Sequence, residues 1–157
     1  MQTSTAVRAL GILSLVALAS GCTCMGHGQY TVQLSLDESM AAGAKSATVE
    51  LVGVNVLQRE NPNVRDSDGC RTLQFGANMA KIQTLHWTDE KWKVWKSRGS
   101  CYLMVFGELP DGSSKLELPL NTKAWPSAVA CGKNRAPLQL IIHENQIECV
   151  TPCNPLK

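Results

Sequence analysis

The chain predicts a mainly β fold, a small antiparallel β-sandwich with one short helix at about residues 88–98. Three observations point there. Several short stretches alternate apolar and polar residues with period two, as half-buried strands do. Clusters of Gly, Pro, Asn, Asp and Ser separate them roughly every 8–15 residues, the spacing of small all-β domains. Only one segment carries both a helix start and a helix stop. The length of 157 residues suits one ordinary domain, and 44% hydrophobic with 18% charged residues supplies a core and excludes wholesale disorder. A formal charge of +2 gives no global basic field, so neither nucleic acid nor a polybasic membrane contact is expected from it.

Tyr30, Val32, Leu34 and Leu36 alternate with Thr31, Gln33 and Ser35 and read as the first strand. Asp37 to Lys45 is rich in turn formers. Ala47 to Val56 reads as a second strand, with Gly53 as the mark of a bulge. Gln58 to Gly69 has almost no apolar residue and reads as the longest loop. Arg71 to Phe75 and Lys81 to Trp87 are short strands. The helix follows: Thr88 is the expected N-cap, Asp89 and Glu90 lie in the first turn, Lys96 and Arg98 in the last, and Gly99 suits the left-handed position beyond it. Trp92 and Trp95 share one face of this helix, whose ten or so residues need burial of those indoles to be stable. Cys101 to Gly107 and Lys115 to Leu120 form a hairpin across Pro110-Asp111-Gly112, and Leu138 to His143 with Ile147 to Val150 form another.

The N-terminus reads as an address. Arg8 precedes an apolar run from Ala9 to Leu18 that spans only ~15 Å as a helix, half a bilayer, and has the layout of an export signal. It ends in Leu18-Ala19-Ser20-Gly21-Cys22. This resembles the lipobox of bacterial lipoproteins. The resemblance implies cleavage between Gly21 and Cys22, diacylglycerol on the Cys22 thiol and acylation of the new amino group, giving the stable anchorage that one chain alone does not. Ala19 stands where Leu is commoner in that family. An ordinary secretory signal cut near Ala17 or Ala19 is the alternative. Thr23, rather than Asp, after the cysteine implies the outer membrane more than the inner. The expected organisation is a signal peptide at 1–21, a lipidated cysteine and short tether at 22–28, and a sandwich domain at 29–157 facing the periplasm or the exterior.

Seven cysteines become six if Cys22 carries lipid: Cys24, Cys70, Cys101, Cys131, Cys149 and Cys153. An even number in an exported chain suits a disulfide framework, whose connectivity spacing alone leaves open. A bridge closing a loop of some 30 residues contributes ~3 kcal/mol before strain. Cys24-Met25-Gly26-His27 offers ligands suited to Cu(I), but the spacing matches no ligand motif and lies in the tether, so no metal and no cofactor are expected.

No catalytic constellation is legible. His27 is in the tether, His86 ends a strand, and His143-Glu144 is followed by Ile147 where a zinc-protease helix places its second His. Asp66-Ser67-Asp68-Gly69 has a fragment of a calcium loop without its closing Glu. Of the four tryptophans, Trp92 and Trp95 are expected in the core. Trp125, between a strand and a Pro-bounded loop, is the expected exposed anchor for a partner. Trp92-x-x-Trp95-x-x-x-Gly99, Leu103-x-Val105, Leu109-Pro110 and Leu116-x-Leu118-Pro119-Leu120 are similar to exported bacterial proteins, a resemblance of structural motifs that implies no activity. The layout of lipobox, tether and small sandwich also looks like the outer-membrane lipoprotein of type VI secretion systems, by architecture alone.

The function expected from these readings is non-catalytic: a lipid-anchored envelope protein that binds or assembles with an envelope protein partner. A secretion-apparatus lipoprotein docking a membrane partner is one alternative. A periplasmic ligand-binding protein or enzyme using a groove beside the Trp92/Trp95 helix is the other.

Overall fold

The computed structural model describes residues 29–66, 68–121, 124, 125, 129 and 136–152. The elements run β1 (Val32–Leu36), α1 (Glu38–Ala42), β2 (Ala47–Val54), a 3-10 turn (Pro62–Asp66), β3 (Arg71–Phe75), β4 (Ile82–Leu85), α2 (Glu90–Ser97), β5 (Tyr102–Leu109), β6 (Gly112–Pro119), β7 (Leu138–Ile142) and β8 (Ile147–Cys149). They form two four-stranded sheets, β4-β1-β7-β8 and β3-β2-β5-β6. Period-two alternation sets the layers. Val32, Leu34, Leu138, Leu140 and Ile142 of the first sheet share one core with Val49, Leu51, Leu73, Leu103, Val105 and Leu118 of the second.

The two expected hairpins form, β5 with β6 and β7 with β8. The sheets are not wholly antiparallel, however: β1 and β7 pair in parallel from Val32↔Leu138 to Leu36↔Ile142. The reason is where the chain re-enters. β6 ends at Pro119 opposite Tyr102, at the end of the sandwich where β1 begins, so β7 starts from that end too. This is the end where the described chain starts, and it is called proximal below. The distal end carries α1, the β3–β4 connection and the tips of both hairpins.

At the proximal end α2 closes the sandwich by linking β4 to β5. Its N-cap is Asp89, one residue later than expected, with its carboxylate accepting from the Lys91 N–H at 2.9 Å. Thr88 is otherwise engaged, its Oγ1 lying 2.8 Å from His86 Nδ1. Gly99 does take the left-handed position, at φ +65°. Trp92 and Trp95 face inward at 2% and 0% exposure. Trp92 meets Tyr30 edge-on at 5.0 Å between ring centroids, and Tyr30 Oη donates to the Pro119 carbonyl at 3.3 Å.

Gly53 is not a bulge. It pairs in register with Leu103, and its missing side chain is the space that Trp95 fills: a Cβ there would lie 2.4 Å from the indole Cγ. Asp37 to Lys45 is more ordered than a turn, forming α1, which the Asp37 carboxylate caps by accepting from the Met40 N–H at 2.8 Å.

The loop after β2 is also tied down. Val64, 6% exposed, packs with Val52, Val54 and Met104 in a second small cluster on the outer face of the second sheet. Arg65 pairs with Glu50 at 2.5 Å and Glu108 at 2.8 Å, and its guanidinium lies 5.3 Å from the Phe106 ring centre. Arg59 pairs with Glu117 at 2.7 Å and lies over Tyr102 at 4.9 Å. One apolar side chain and two arginines therefore anchor a segment whose composition suggested a solvated loop.

Candidate functional site

The densest polar cluster among the described residues is at the distal end, and β1 and β7 build it. Their parallel register runs on past Leu36↔Ile142, so Asp37 and His143 leave the sheet side by side. The Asp37 N–H donates to the Ile142 carbonyl at 3.0 Å and locks that register. Asp37 Oδ2 lies 2.8 Å from His143 Nδ1, while Oδ1 accepts from Ser39 Oγ at 2.9 Å as well as from the Met40 N–H. On the other side of the ring, His143 Nε2 lies 3.2 Å from Glu148 Oε2 on β8. A charged imidazole donates to both carboxylates, a neutral one to a single carboxylate. Glu144 extends the cluster, pairing with Lys45 Nζ at 2.6 Å and accepting from Ser39 Oγ at 3.4 Å.

The Met40 N–H holds the Asp37 carboxyl below its ordinary pKa, and His143 and Ser39 add to this. The Lys45 ammonium lowers Glu144 in the same way, and Glu144 raises Lys45. Chemically this is a cap and clamp: Asp37 terminates β1, starts α1 and holds the β7–β8 hairpin. Ser39 Oγ donates to the Asp37 and Glu144 carboxylates. Among the described residues no group of three His, Cys, Asp or Glu side chains is arranged to hold a metal ion.

The residues singled out from sequence are placed as follows. Gly21, Cys22, Cys24, Cys131 and Cys153 lie outside the described residues. Trp125 is not an exposed anchor. It is 3% exposed, its indole N–H donates to the Pro119 carbonyl at 2.9 Å, and its ring stands against Tyr30 at 6.3 Å. A domain with so few large aromatics uses this one to fill the proximal core. Trp92 and Trp95 are core residues as expected, and the Trp95 N–H donates to the Gly69 carbonyl at 2.6 Å.

Cys70 is a free thiol at the entry to β3. Burial, and Glu50 next to it, push its pKa above the ordinary value, so the thiolate that disulfide chemistry needs is scarce. Cys101, 8% exposed, directly precedes β5, and Cys149 ends β8 in the other sheet, with its Sγ 3.3 Å from the Thr151 carbonyl. No two of these three are at disulfide distance. In the Asp66 to Gly69 stretch, the Asp68 backbone carbonyl receives the Lys91 ammonium.

Sequence reasoning missed the Asp37–His143–Glu148 cluster and the arginine clamps. The one local signal was Asp37 itself, an N-cap residue directly after an alternating strand. Its partners are about a hundred positions away and are brought to it only by the parallel register.

Comparison of the chain with protein-family models, with curated proteins and with solved structures finds no match. The functional reading rests on the chain's own chemistry.

Proposed function

We propose that the chain is a lipoprotein of a bacterial cell envelope, anchored through lipid on Cys22 and serving in binding or assembly rather than catalysis. The anchor reading is supported by Leu18-Ala19-Ser20-Gly21-Cys22 after a short apolar run, and Thr23 favours the outer membrane over the inner. No helix among the described residues is long and apolar enough to cross a membrane.

The observation that carries the assembly role is the β4 edge of the first sheet. β4 pairs with β1 on one side only. Ile82 on this strand is 57% exposed, and Met79 in the preceding connection is 50% exposed. An unpaired edge with exposed apolar side chains is a template for another protein. Ile82, opposite Ser35, and Met79 lie toward the distal end of this edge, away from the tether, where an anchored domain presents itself to the envelope.

Within this reading a disulfide staple falls to Cys101. Cys70 and Cys149 are thiols whereas Cys101 is bonded, so its proposed partner is one of the cysteines outside the described residues, Cys24, Cys131 or Cys153. Peptide mapping without reductant reads this directly.

The docking edge is tested by placing the photocrosslinking residue p-benzoylphenylalanine at Ile82 in cells, with Thr72 on β3 as control. A discrete adduct from position 82 and none from position 72 is expected. No adduct at 82, or the same adducts at both positions, overturns the edge as the docking surface.

A further inference from the structure

We propose that the proximal end of the sandwich rests on an anionic lipid surface through Leu57, Lys93, Lys96 and Arg98. The inference rests on the anchored reading and adds which face of the domain meets the membrane.

Four observations converge on that end. The first concerns reach. Thr23 to Gly28 is six residues, at most ~20 Å when extended, and joins the domain just before Tyr30. Tyr30 is fully buried against Trp92 and bound to the Pro119 carbonyl, so the attachment point is fixed to the sandwich. A lipid on Cys22 therefore holds this end near the bilayer.

The second is the outer side of α2. With Trp92 and Trp95 turned inward, Lys93, Lys96 and Ser97 are exposed on the opposite side, with Arg98 just beyond. Lys93, Lys96 and Arg98 make no ion pair among the described residues, in contrast to Arg59 and Arg65 on the outer sheet face. Asp89 and Glu90 stand at the other end of the helix, so the positive charge gathers toward its C-terminus.

The third is the turn that follows β2 at this end, beside the chain that enters β5: the Cys101 N–H donates to the Val54 carbonyl at 2.8 Å. In this turn Val56 is 55% exposed and Leu57 is 91% exposed. Leu57 is the most exposed of the large apolar side chains described, and no protein surface covers it. Exposed apolar side chains at the same end of the sandwich as several unpaired cations suit the boundary of an anionic bilayer, where the side chains insert and the cations meet phosphates.

The fourth is the contrast with the distal end. There Asp37, Glu38, Asp111 and Glu144 outnumber Lys45 and Lys81, and Lys45 is already paired with Glu144. An anionic surface attracts the proximal end and repels the distal one. Glu60 and Asp68 also lie in the loop beyond Leu57 and moderate the attraction, so the contact orients an anchored domain and does not replace the anchor.

The test uses the processed full-length protein purified from membranes. It is mixed with vesicles of phosphatidylcholine alone or of phosphatidylcholine with phosphatidylglycerol, and read by flotation and by amide hydrogen exchange. With phosphatidylglycerol, exchange over residues 56–60 should slow several-fold and that over 143–146 should stay unchanged. The combined variant Leu57→Ser, Lys93→Gln, Lys96→Gln changes only exposed side chains and should lose the slowing. Flotation with both vesicles but no slowing at 56–60 overturns the lipid-facing surface and leaves the anchor standing. Flotation only with phosphatidylglycerol, accompanied by the slowing, supports the surface and overturns the anchor. Failure to float with either overturns both.

Discussion

At the scale of single residues, Asp37 carries more structure than any other polar side chain described. Its two oxygens cap α1, accept from Ser39 and clamp His143. A carboxylate whose pKa is lowered in the fold contributes stability that is fully present above its unfolded value, 3.8 for this residue type, and is lost as pH falls through the lower folded value. Glu144 behaves likewise from 4.5 downward. Thermal unfolding followed from pH 7 to pH 2 should therefore show a stability plateau that falls away below about pH 4. Asp37→Asn should lower the plateau and flatten the Asp37 part of that fall. An unchanged acid limb in the variant would show that the clamp contributes nothing. The cluster was illegible in the sequence because its members come from β1, α1 and the β7–β8 hairpin. Trp125 was misread for a related reason: a Pro-bounded neighbourhood marks a loop, yet whether a loop indole turns inward depends on what the core lacks.

At the scale of elements, packing of helix on sheet decides the proximal end. Trp95 lies directly over Gly53, and any side chain there must displace the indole. Gly53→Ala should destabilise the fold by about 1–3 kcal/mol through over-packing, outweighing the small gain an Ala brings to a strand interior. Gly76→Ala is the matched control, since its added methyl meets only ordinary contacts at 3.8 Å and beyond. Urea unfolding of both variants reads the difference as a lower midpoint at unchanged slope for Gly53→Ala alone. The alternating strands and the α2 segment were visible in the sequence because periodicity and capping are local. Direction of pairing was not, since an alternating strand looks the same whether its neighbour runs parallel or antiparallel. The loop after β2 was read as solvated because a single Val64 in a polar stretch carries no periodic signal. Its burial depends on Val52, Val54 and Met104 leaving an apolar patch on the outer sheet face.

At the scale of the whole molecule, the fold is polar in a directional sense. The chain enters at the end built from Tyr30, Trp92, Trp95 and Trp125, while α1 and the two hairpin tips form the opposite end. Under the proposed lipid anchor, a short tether at Cys22 would turn that direction into an orientation, with the indole-packed end toward the bilayer and Ile82 of the β4 edge away from it. Everything in this arrangement depends on lipid at one cysteine. The decisive measurement is labelling of cells with a radioactive fatty acid, together with the intact mass of the mature protein, for the wild type and Cys22→Ala. The wild type should take up label and begin at a diacylglyceryl Cys22, and the variant should accumulate as unlabelled precursor. Persistent labelling of the variant, or a wild-type chain processed elsewhere and free of lipid, would contradict the account.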